Sequence, residues 1–128
     1  MSISVVDSSA WVEYFAATEA GLKVKKIVED GDNEIVTTVV TIAELSSFYK
    51  RNNIDFERPY NVIIKNSKIF QMDENVAKGI GEIHFEAKSK NKKFSFADSV
   101  VLYAAKKLKA KIITKDLDFK DFKETILI

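Results

Sequence analysis

Short apolar or β-branched runs recur along the chain with helix-patterned stretches between them, and this alternation constrains the fold most. The runs are Ile3 to Val6, Glu34 to Val39, Lys68 to Met72, Lys111 to Thr114 and Thr125 to Ile128. Each of the first three is followed by two stretches with apolar residues at helical spacing. Strands joined through helices run parallel, because parallel neighbours need a long crossover. A parallel sheet must be covered on both faces, so the expected class is α/β with helices on either side.

Start signals place the helices. Ser8 or Ser9 caps one running from near Ala10 to about Ala17, and Thr18 caps a second carrying Leu22, Val24, Ile27 and Val28 until Gly31. Thr41 opens a third with Ile42, Leu45, Phe48 and Tyr49 inward. Asp55 starts a fourth, with Pro59 within its first turn or just after it. Asp73 caps a long helix bearing Val76, Ile80, Ile83 and Ala87, and Ser95 caps one ending at Leu108. Gly and Pro are too scarce to mark a linker, so residues 1–128 are expected to form one domain.

Composition removes several kinds of chemistry. The absence of cysteine excludes disulfides, zinc–thiolate sites and cysteine nucleophiles. No apolar run approaches the ~20 residues needed to cross a bilayer, and the start lacks a basic leader; no membrane role and a cytoplasmic location are expected. The net charge of +1 conceals an asymmetry. Met1 to Ala87 holds 9 basic and 14 acidic residues, whereas Lys88 to Ile128 holds 11 lysines and 5 acids. A basic last third fits a polyanion or acidic partner on one face, or equally a solvated lysine surface.

Ligands of parallel sheets bind at the carboxyl ends of the strands. Asp7 directly follows the first strand and Asp116 lies two residues beyond Thr114. Glu44 and Asp98 sit in the first turns of the helices opened by Thr41 and Ser95. Four carboxylates on one rim repel each other unless a cation neutralises them, and Mg²⁺ or Mn²⁺ is the natural partner for hard oxygen donors. His84 is the only histidine, so no imidazole cluster competes. Each acid also has a structural reading. Asp7 can cap a helix, Thr41-x-x-Glu44 and Ser95-x-x-Asp98 both have capping-box spacing, and Asp116 and Asp118 can be loop acids. On a helical wheel Asp98 projects among Val101, Leu102 and Ala105, away from Ser99 and Lys106. A carboxylate aimed at an apolar wall calls for a cation.

The segments Ser4-Val5-Val6-Asp7-Ser8-Ser9-Ala10, Thr41-Ile42-Ala43-Glu44-Leu45, Phe96-Ala97-Asp98-Ser99 and Ile112-Ile113-Thr114-Lys115-Asp116-Leu117-Asp118-Phe119 resemble, in order, the motifs of the PIN-domain family, and of its VapC toxin branch in particular. The resemblance covers essentially the whole chain. It implies a three-layer α/β/α sandwich with a central parallel β-sheet and a divalent-metal endoribonuclease site at Asp7, Glu44, Asp98 and Asp116. It also implies a homodimer restrained by a small antitoxin protein. Asp118, Thr114 and Ser8 are the expected supporting residues. Lys92, Lys93 and Lys115 are candidate contacts to the phosphates of an RNA substrate. Phe94 and Phe96 flank the lysine segment and can stack on bases or belong to the core. Trp11, Tyr14 and Phe15 can likewise face a dimer partner or the core. A catalytically silent PIN-like module that binds RNA or protein is the alternative function. A haloacid-dehalogenase-type phosphatase is disfavoured because Ser9 stands where its second acid belongs, and a phosphoacceptor receiver because Asp7 is not part of an acidic pair.

Overall fold

The computed structural model describes residues 2–128. Five strands form one sheet: β1 (Ser2–Val6), β2 (Asn33–Thr38), β3 (Lys68–Phe70), β4 (Lys111–Thr114) and β5 (Thr125–Leu127). Their order is β3-β2-β1-β4-β5, and every neighbouring pair is parallel. Six α-helices connect them: α1 (Ser8–Ala16), α2 (Glu19–Val28), α3 (Val39–Arg51), α4 (Glu57–Asn66), α5 (Glu74–Lys90) and α6 (Phe96–Leu108). A 3-10 turn at Leu117–Phe119 lies between β4 and β5.

Successive residues of a strand point to opposite faces, and here the two faces feed two separate cores. Val5, Val36 and Ile112 pack with Ala87 of α5 and with Val101, Leu102, Ala104 and Ala105 of α6. Val6, Ile35 and Ile113 pack instead with Trp11 of α1, Val24 of α2, Leu45 of α3 and Ile63 of α4. The result is three layers, α/β/α, with the sheet covered on both sides as a parallel sheet requires.

Several expected boundaries move. Helix α1 begins at Ser8, so Asp7 and not a serine occupies its N-cap position. Helix α3 begins at Val39 and is capped by Thr38, whose side chain accepts from the Thr41 amide. Thr41 is therefore inside the helix, and the capping box proposed for Thr41 and Glu44 does not form. Helix α4 begins at Glu57, two residues after Asp55, and Pro59 lies in its first turn, where its missing N–H costs nothing. Strand β3 ends at Phe70 rather than Met72.

Thr18, Asp73 and Ser95 cap α2, α5 and α6 as read. Trp11 is fully buried and donates its indole N–H to Thr37 at 3.1 Å, and Tyr14 and Phe15 are partly buried against the same core. The α1 aromatics are thus core residues first, and Trp11 offers nothing to a partner.

Candidate active site

The chain runs outward from β1 through β2 to β3, then returns to place β4 on the other side of β1. The strand order therefore reverses between β1 and β4, the place where open parallel sheets form a crevice at their carboxyl ends. Asp7 leaves β1 there and Asp116 leaves β4. The two strands are held together by Val6 pairing with Ile113, and the Asp7 amide donates to the Ile113 carbonyl at 3.0 Å.

Asp98, Asp116 and Asp118 present carboxylate oxygens within 4.8 Å of one another. Each is held in place. Asp98 forms a true capping box with Ser95, accepting from the Ser95 amide through Oδ2 at 3.0 Å while Ser95 Oγ accepts from the Asp98 amide. Asp116 Oδ1 accepts from the Asp118 amide at 2.9 Å, which closes the 3-10 turn and folds the two acids together. Asp118 Oδ1 accepts from Asn91 Nδ2 at 3.2 Å, tying the turn to the loop between α5 and α6.

Asp7 and Glu44 stand outside that trio but feel its charge. Asp7 is buried; its Oδ2 accepts from Thr114 Oγ1 at 2.8 Å and from Ser9 Oγ at 3.2 Å, and it makes no side-chain cap. Burial raises its pKa to about 6 against those hydrogen bonds, with the Asp98 charge adding to the rise. Glu44 is half-buried and raised to about 7, first by burial and then by the charges of Asp7, Asp98 and Asp116, while the Ser8 hydroxyl opposes the shift. Asp98 is raised as well, by burial and by Asp116 and Asp118.

Asp98 does not project at the apolar wall expected of it. Ser99 is fully buried, with its hydroxyl donating to the Ser95 carbonyl at 2.9 Å, so the polar side chain occupies a core-facing slot. Asp98 lies half-buried at the helix start and meets other carboxylates, not an apolar wall. Among the described residues no lysine or arginine pairs with any of the five acids; the ion pairs present are Lys68–Glu34, Lys106–Glu124 and Lys115–Glu13. Hard oxygen donors converging without a protein counter-charge fit an Mg²⁺ or Mn²⁺ ion.

Two polar residues of this network were not foreseen. Ser9 Oγ is shared among Asp7, Thr114 and the Lys115 amide. Asn91 reaches Asp118 across 27 positions, a contact with no local sequence signal. Ser8 lies beside Glu44. Lys92 and Lys93 are exposed on the loop that Asn91 anchors, whereas the Lys115 ammonium binds Glu13 at 3.2 Å. Phe94 is core and Phe96 is exposed.

Thr114 carries three contacts at once, accepting from the Asp116 amide at 3.0 Å besides its bonds to Asp7 and Ser9. Thr114→Val keeps the shape of this fully buried side chain but leaves the Asp116 amide without that acceptor and the Asp7 carboxylate without its shorter hydroxyl bond, only that from Ser9 remaining. A loss of about 1–3 kcal/mol in urea unfolding is expected, since stranded buried polar groups cost that much. A midpoint unchanged from the parent protein would show the bridge to be dispensable.

Fold and site together define an α/β protein with a carboxylate cluster at the switch point of a parallel sheet. The chain belongs to the PIN domain family, whose model matches residues 4–124. Its fold is similar to that of VapBC2 from Rickettsia felis, solved with a promoter DNA fragment, at TM-score 0.72 and 16% identity over 98% of this chain and 97% of that one. It is also similar to VapC20 from Mycobacterium tuberculosis, described as a sarcin–ricin loop cleaving toxin, at TM-score 0.73 and 13% identity over 94% and 95%. A toxin–antitoxin complex from Klebsiella pneumoniae matches at TM-score 0.72 and 15% identity over 96% and 95%. No curated protein matches the sequence. Among the described residues no helix is long and apolar enough to cross a membrane.

Proposed function

We propose that residues 1–128 act as one domain, a divalent-cation-dependent endoribonuclease of the VapC toxin type that works in the cytoplasm as a homodimer restrained by a small antitoxin protein. The observation that carries this reading is the unpaired trio Asp98, Asp116 and Asp118 at the switch point, with two proton-retaining acids beside it.

In this reading the trio would hold Mg²⁺ or Mn²⁺, with Asp7 and Glu44 completing the negative rim. A bound cation neutralises charge on the phosphodiester and makes a water easier to deprotonate. The chain's own groups do the rest. Glu44, half-buried beside the other acids and partly open to solvent, is the candidate to take a proton from an attacking water. Thr114 and Ser9 lock Asp7 in one orientation, as partners of ligating carboxylates do. Lys92 and Lys93 lie where they would bind the RNA backbone without reading its sequence.

Cleavage of a structured RNA by the purified protein tests the reading directly. Cutting with Mn²⁺ or Mg²⁺ and none in EDTA is the expected result. RNA or protein binding with no cutting in any cation would replace it with the silent binding module, for which the same fold and basic loop would serve.

A further inference from the structure

We propose that Phe96, backed by His84, is a stacking platform for an unpaired base of the RNA strand that enters the carboxylate site; this rests on the ribonuclease reading above. The phenyl ring is 63% exposed at the first position of α6 and belongs to neither core. The helix start does not need it, since Ser95 and Asp98 complete the cap. One face of the ring is nonetheless occupied. The His84 imidazole lies parallel to it, with centroids 4.0 Å apart and planes 20° from each other. The imidazole is itself fixed, with Nε2 within 3.2 Å of the Phe94 carbonyl oxygen. A flat, supported ring with its outer face open to solvent is the form that receives a nucleobase, and such stacking tolerates any base.

The surroundings favour nucleic acid over protein as the occupant. The same connection between α5 and α6 carries the exposed Lys92 and Lys93, and Asn91 fastens it to Asp118. Phe96 opens the helix whose first turn also carries Asp98. A single strand running along the start of α6 to the acids would meet the ring, while the lysines offset its backbone charge. With only Arg51 and Arg58 in the chain, stacking supplies grip that guanidinium groups do not.

Anisotropy of a fluorescein-labelled single-stranded oligoribonucleotide, read in EDTA so that nothing is cut, measures the platform without the reaction. Phe96→Leu keeps an apolar side chain and removes the π face; it should bind about 5- to 150-fold more weakly, the range for losing one stacked base. Phe96→Tyr should bind as the parent does. Phe85→Ala removes a ring that is 82% exposed, and should also leave affinity unchanged. In Mn²⁺ the Phe96→Leu defect should appear in KM rather than kcat. If Phe96→Leu binds and cuts like the parent, the platform is wrong and the ribonuclease stands. Weakened self-association by light scattering with unaltered RNA affinity would assign the ring to a protein contact instead. An equal loss in Phe85→Ala would reduce the effect to general apolar adhesion. Failure of the parent protein to bind or cut RNA would remove both readings together.

Discussion

Asp98→Asn should reduce Mn²⁺-dependent RNA cleavage by roughly 10³-fold or more, about 4 kcal/mol of transition-state stabilisation, without loosening the fold. The two effects separate because the cap needs only an acceptor oxygen, whereas the trio's hold on a cation needs the charge. Oδ2 accepts from the Ser95 amide, and an asparagine carbonyl can accept the same hydrogen bond, so the capping box survives. Asp98 also belongs with Asp116 and Asp118 to a trio whose oxygens approach within 4.8 Å, and there an amide removes its negative charge. A cation loses a ligand, while the cation-free protein loses a repulsion. In EDTA the melting temperature of Asp98→Asn should match or exceed that of the parent. Cleavage within tenfold of the parent would remove Asp98 from the proposed site. A fall in melting temperature in EDTA would mean the residue is mainly a cap.

Much of this layout was legible because local rules and the fold agree. Thr18, Asp73 and Ser95 each precede a run with helical spacing, and each caps a helix. The alternation of strands with paired helices fixes a parallel sheet, and strand ends then nominate Asp7 and Asp116 without reference to any other protein. What misled were residues whose propensity and role diverge. Val39 and Val40 extend the β-branched run of β2, yet they are the first turn of α3, since Thr38 caps earlier and packing overrides propensity. Ser99 reads as a surface residue but is buried, because its hydroxyl returns to the carbonyl of Ser95. The links from Thr114 to Asp7 and from Asn91 to Asp118 span 107 and 27 positions, and only the folded chain brings those groups together. Asp118 has the sequence position of a support for Asp116, yet the 3-10 turn folds both into the same trio as Asp98.

The acids that keep their protons make a second large effect, a dependence of stability on pH that a cation reverses. Asp7 is raised from 3.8 to about 6 and Glu44 from 4.5 to about 7, both first by burial. Each holds its proton more tightly folded than unfolded, so each favours the folded state fully below its unfolded pKa and loses that contribution as pH rises through the folded value. Without a divalent cation, stability should therefore fall between pH 5 and pH 8. The fall is on the order of 2–3 kcal/mol, shared between Asp7, part of whose contribution is already lost by pH 5, and the half-exposed Glu44, discounted for solvent screening. For a chain of this length that is a drop of roughly 5–12 °C in melting temperature. Glu13 and Glu124, whose pKa values are lowered, work in the opposite direction, but their contribution is complete below the start of this window. Millimolar Mn²⁺ should raise the melting temperature more at pH 8 than at pH 5, because protons compete for the same oxygens. The double variant Asp7→Asn/Glu44→Gln should flatten the profile in EDTA and blunt the response to Mn²⁺. Calorimetric scans of both proteins across the pH range decide the matter. A parent protein whose stability in EDTA is level or rising from pH 5 to pH 8 would show that these acids are not held in the strained, proton-retaining state that makes a cation site of them.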